Sequence, residues 1–84
     1  MHEVSLVHSL FDQADRAIGA HDAAQVKQVR VRVGEMSGVE PELFETAFAG
    51  VRAERGYVSA ELELVPVPGT ELILERLELE VRDV

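Results

Sequence analysis

The chain opens Met1-His2-Glu3, which sets an α-amine, an imidazole and a carboxylate side by side at its tip. When an imidazole directly follows a free amino terminus, the amine, the intervening amide nitrogen and a ring nitrogen can all reach one ion. Such a planar, nitrogen-rich set suits Ni(II) or Cu(II) rather than zinc or magnesium. The amine (pKa about 8) and the imidazole (about 6.5) must both lose protons to bind, so this site fills as pH rises through neutrality. The bland alternative is a frayed terminus with a solvated His2. The other histidines are poorer ligand candidates. The spacing of His8 from His2 suits no local chelate, and His8 reads as a solvated or half-packed helix residue. His21, next to Asp22 beyond a helix end, reads as a partner for the helix dipole.

These groups need a base that holds them. From Ser5 to about Gly19, Leu6, Val7, Leu10, Phe11, Ala14, Ala17 and Ile18 recur at three- and four-residue steps, the pattern of an amphipathic helix. Ser5 is the expected N-cap and Gly19 the expected stop. A helix that starts at or just after Glu3 anchors the terminal tripeptide. Val29, Val31 and Val33 then alternate with Gln28, Arg30 and Arg32, predicting a half-buried strand over 26–33. Gly34 and Gly38 bracket a turn, and Pro41 stands where a first helical position is expected, with Glu40 and Glu42 in an acidic first turn. Leu43, Phe44, Ala47, Phe48 and Val51 carry helical spacing to about Arg55, where Gly56 ends it. Phe44 and Phe48 are the core anchors of that helix.

Two more strands follow, about Ser59–Val65 and Glu71–Val81, joined by a compact hairpin connection through Val67-Pro68-Gly69-Thr70. Leu72 and Leu74 are out of phase with Leu77, Leu79 and Val81, and a bulge near Glu75 reconciles them. The expected fold is therefore α+β, two-layered, in the order helix-strand-helix-strand-strand, with both helices on one face of a three-stranded sheet. Arg30 and Arg32 should meet Glu61, Glu63, Glu78 or Glu80 across the open face.

Composition bounds the function. The 84 residues carry a net charge of −8, with 46% hydrophobic and 29% charged side chains, which describes one small globular domain. That acidity argues against nucleic acid, whose phosphates need a basic surface, and against anionic membranes. Residues 61–84 hold seven acidic and two basic side chains, so the acidity is concentrated in the last third. The amino end has no cationic stretch followed by an apolar core, and a cytoplasmic location is expected. With no cysteine, any metal must be held by nitrogen and oxygen, and no zinc is expected. An enzyme needs a nucleophile or base beside a partner, or a glycine-rich phosphate loop, and neither pattern occurs.

Met1-His2-Glu3-Val4-Ser5-Leu6, together with Val29-Arg30-Val31-Arg32-Val33 and Gly34-Glu35-Met36-Ser37-Gly38-Val39-Glu40-Pro41, resembles the HypA/HybF family of nickel metallochaperones. The tail from Glu71 to Val81 looks like that family's last strand. The resemblance implies Ni(II) bound at Met1 (through its amine), His2 and Glu3, and delivered during maturation of [NiFe]-hydrogenase or, in some organisms, urease. It implies as partner the GTPase HypB, docking near the first helix, where Asp12, Gln13 and Arg16 are the contact candidates. The family carries a zinc domain with two Cys-x-x-Cys pairs between its last two strands. Here residues 66–70 stand in that place, and 1–84 reads as a single nickel-binding domain. A metal-independent interaction module that kept the fold is the alternative.

Overall fold

The computed structural model describes residues 3–81. Helix α1 (Glu3–Ile18) buries Val7, Leu10, Phe11, Ala14 and Ile18, one stripe at helical spacing. It begins two residues before the expected Ser5 cap, so Ser5 lies inside the first turn. A single 3₁₀ turn (Ala23–Gln25), closed by a reciprocal capping box between Asp22 and Gln25, reverses the chain into β1 (Val26–Gly34). Helix α2 (Pro41–Val51) has proline at its start and buries Phe44, Phe48 and Val51. It ends four residues short of the expected Arg55. Turns continue to Gly56, which takes φ +88° and lets Tyr57 N–H donate to Arg52 O.

Strands β2 (Glu61–Val67) and β3 (Leu72–Leu79) complete a sheet of order β2-β1-β3. β1 pairs with β2 in parallel, α2 being the crossover, and with β3 in antiparallel. The expected hairpin is therefore wrong. β2 and β3 are the two sheet edges, and residues 68–71 arch over the end of β1 to connect them. Three main-chain bonds hold this arch: Gly34 N–H to Glu71 O, Glu35 N–H to Val67 O and Met36 N–H to Gly69 O, at 2.6 to 2.8 Å. A Cβ on Gly34 would lie 2.3 Å from Gly69 O, so only glycine admits the crossing.

The expected bulge is present. Arg30 faces Arg76 and Val31 faces Leu74, which leaves Glu75 as the extra residue and brings both leucine pairs onto one face. A second shift at Lys27 lets Val26 and Val29 both face the core. Both helices cover that face, over Val29, Val31 and Val33 and the half-buried leucines of β2 and β3. Phe11 stacks on Phe48 at 5.1 Å between centroids and meets Tyr57 at 4.7 Å.

On the open face, Arg30 binds Glu63 at 2.6 Å, as expected, which raises the guanidinium pKa. The remaining pairs differ from expectation. Arg32 faces Val65 and Ile73 in register and reaches Glu71, at 3.8 Å, rather than a strand neighbour. Glu78 pairs with Arg76, Glu80 with Lys27, and Glu61 stands opposite Gln28.

Candidate metal site

Of the three expected ligands, Glu3 is the first residue of α1 and is half-buried. Met1 and His2 lie outside the described residues. The α1 stripe docks this helix on α2 so that the two run in the same direction. Glu3, Val4 and Ser5 share a groove of about 480 Å³ with Leu43, Thr46 and Ala47, Phe11 meets Phe48, and Asp15 meets Arg55. Glu3 thus stands at the end of the molecule where both helices begin. Among the described residues, no three histidine, aspartate or glutamate side chains converge as metal ligands.

His8 is half-buried, and its role is decided by Arg55. The Arg55 guanidinium lies 3.1 Å from His8 Nδ1 and also donates to His8 O at 3.3 Å. A guanidinium only donates, so Nδ1 is the acceptor and the neutral ring carries its proton on Nε2. In that state His8 has no free lone pair for a metal. His21 is exposed; its main-chain N–H, not its ring, bonds the helix end, donating to Ile18 O at 3.0 Å.

The expected partner contacts Asp12, Gln13 and Arg16 are all exposed on α1. Asp12 is already engaged, accepting from Arg55 Nη2 at 2.7 Å, and Asp15 accepts from the same nitrogen at 3.0 Å. Arg55 also lies over the Phe11 ring, 5.9 Å from its centroid. Tyr57 is fully buried and donates its hydroxyl to Asp15 Oδ1 at 2.7 Å. The Tyr57 hydrogen bond is the main cause that holds the Asp15 carboxyl below the usual carboxylate range; burial opposes it, and Arg55 adds to the lowering. Burial and the Asp15 bond push the Tyr57 hydroxyl well above its ordinary value, and Asp12 and Asp15 raise the Arg55 pKa. Sequence reasoning passed over Arg55, Tyr57 and Asp15. The one available signal was that Tyr57, the sole tyrosine, directly follows a helix-stopping glycine.

The model of the family described as hydrogenase/urease nickel incorporation, metallochaperone, hypA matches residues 1–78. The hydrogenase maturation factor HypA of Shewanella halifaxensis (strain HAW-EB4) is 43% identical over 54 residues, covering 64% of this chain and 47% of that protein. Its counterpart from Shewanella sp. (strain MR-7) is 38% identical over 68 residues, covering 81% and 58%. The chain thus spans about half the length of the curated relatives it matches. The solution structure of the Ni metallochaperone HypA from Helicobacter pylori superposes with a TM-score of 0.70 at 26% identity, over 90% of this chain and 72% of that one. That likeness spans nine-tenths of this chain, whose two helices on a three-stranded mixed sheet are described above. A match over residues 1–78, joined to that shared fold, means that the chain belongs to the HypA family.

Proposed function

We propose that this chain is a nickel-binding metallochaperone domain that carries Ni(II) as cargo for the maturation of a nickel enzyme, [NiFe]-hydrogenase first among them. The family match across residues 1–78 carries the reading, and the structural likeness to a nickel metallochaperone supports it. The Met1 amine, the His2 imidazole and the Glu3 carboxylate hold the ion. Support for this set comes from its donor chemistry and from Glu3 opening α1, a rigid base for the ligands that precede it. The chain delivers nickel as a non-enzymatic carrier in the cytoplasm. Among the described residues no helix is long and apolar enough to cross a membrane. A HypB-like GTPase and the hydrogenase maturation machinery are its partners, with Asp12, Gln13 and Arg16 on the contact side. Residues 66–70 take the place of the family's zinc domain, and with no cysteine the chain holds no structural zinc.

Calorimetric titration with Ni(II), on protein whose amino terminus is a free Met1, tests the reading. His2→Ala removes the ring donor, and acetylation of the Met1 amine turns it into a neutral amide. Each should weaken binding at least about tenfold, or roughly 1.4 kcal/mol. Glu3→Ala should matter less, since water can replace a hard oxygen donor. Binding should fade below about pH 6.5 as the imidazole protonates. All variants must keep the parent circular dichroism spectrum. An acetylated protein that binds nickel as tightly as the parent removes the amine from the ligand set.

A further inference from the structure

The loop between β1 and α2, the most motif-like block of the chain, plays no part in the metal reading. It builds one wall of a second cavity, of about 410 Å³, at the end of the sheet where the parallel strands β1 and β2 both stop. Val39, Pro41, Leu64 and Pro66 form an apolar floor, and Glu35 and Glu45 stand at its rim. Among the described residues, no lysine, arginine or histidine lines it. Among the described residues neither Glu35 nor Glu45 makes an ion pair, whereas Arg32, on the adjoining open face, is taken by Glu71.

We infer that this cavity is a docking seat for a partner-protein segment that inserts one arginine or lysine side chain flanked by apolar residues. Such a side chain lays its methylene stem along apolar surface and keeps its charged head at the polar rim. The cavity lies at the low end of the roughly 300–1,000 Å³ range of ligand pockets, room for a long side chain and a neighbour rather than for a cofactor. Charge selects the occupant. The start of α2 contributes about half a positive charge, but Glu40, Glu42 and Glu45 place three full negative charges on its first turns, so the carboxylates win. An anionic segment or a phosphate is repelled, and a cationic one is attracted.

Apolar surface at the same end extends the seat. Met36 is 77% exposed on the loop, a side chain that a docked segment covers. The seat lies on the β1–β2 side of α2, apart from the groove beside Glu3, and needs no bound nickel.

The test is a two-dimensional amide NMR titration of the metal-free, 15N-labelled protein with the peptide acetyl-Gly-Leu-Arg-Leu-Arg-Leu-Gly-amide and its glutamate-for-arginine counterpart. The arginine peptide should give saturable shifts centred on Glu35, Val39 and Leu64, and the glutamate peptide none. The double variant Glu35→Gln/Glu45→Gln, altering two exposed side chains, should keep the parent spectrum elsewhere and weaken arginine-peptide binding at least about fivefold. Raising the salt from about 0.05 M to 0.5 M should weaken it likewise, because exposed carboxylates are screened over a few ångströms at that strength. Equal binding of both peptides, shifts centred elsewhere, or no saturable change at about 10 mM peptide overturns the inference. So does concentration-dependent shifting of the same amides without peptide, which makes the seat an interface between copies of this chain. Loss of nickel binding in His2→Ala bears on the metal reading alone and leaves this outcome untouched.

Discussion

At the scale of single residues, the Asp15–Tyr57 bond is unequal in its two partners. Tyr57 is fully buried, whereas the Asp15 side chain is 51% exposed and can turn to water. Tyr57→Phe removes a donor whose acceptor is rescued by solvent and should cost about 1 kcal/mol. Asp15→Ala strands a buried hydroxyl and should cost more, about 1–3 kcal/mol. Urea melts of the two variants rank them, and the reverse order refutes the account. The pair also sets a pH dependence. The folded Asp15 carboxyl titrates below its unfolded value of about 3.9, so its contribution is complete above that pH and is lost as pH falls through the lower folded value. Stability of the parent should therefore decline more steeply below about pH 4 than that of Tyr57→Phe.

At the scale of elements, the two helices and the strand crossing depend on different physics. Phe48 is 3% exposed and stacks on Phe11, joining α2 to α1 over the sheet. Phe48→Ala should cost roughly 3–5 kcal/mol, a large share of the stability of so small a domain. A loss under about 1 kcal/mol in urea shows that this stripe is not core. Gly34 answers to backbone geometry instead. The nearest atoms to a Cβ there are main-chain atoms of Gly69 and Glu71, which cannot swing aside as a side chain would. Gly34→Ala should therefore cost at least about 2 kcal/mol although it adds a single methyl group. Amide exchange should quicken first at Glu35 and Met36, whose N–H groups bond the arch; unchanged exchange there counts against the crossing as the cause.

At the scale of the whole molecule, the question is what holds the fold together without a metal. One continuous apolar cluster runs from Val7 through the sheet to Ala60, and among the described residues no buried side-chain polar atom lacks a partner. Folding should accordingly be insensitive to chelators. EDTA dialysis should shift Tm by less than about 1 °C, and elemental analysis should find no stoichiometric zinc. One tightly held zinc per chain, with unfolding on its removal, refutes this.

The elements themselves were legible in the sequence because their signals are local. The α1 stripe, the alternation of β1 and the phase slip at Glu75 are all periodicities of a few residues, and each lies in the structure where the pattern put it. The donor chemistry of Met1-His2-Glu3 is likewise a property of three adjacent residues, and the folded structure could change its setting but not its type. Strand order was not legible. Two strands joined by four residues read as a hairpin, and only the pairing of β1 with both of them moved β2 and β3 to opposite edges. The same crossing gave Gly34 its steric role. Arg55 and Tyr57 belong to no stripe, and their partners Asp12 and Asp15 lie some forty residues away on α1. Tertiary packing alone decided that cluster and the seat between Glu35 and Glu45, because each is made of side chains that no short-range repeat connects.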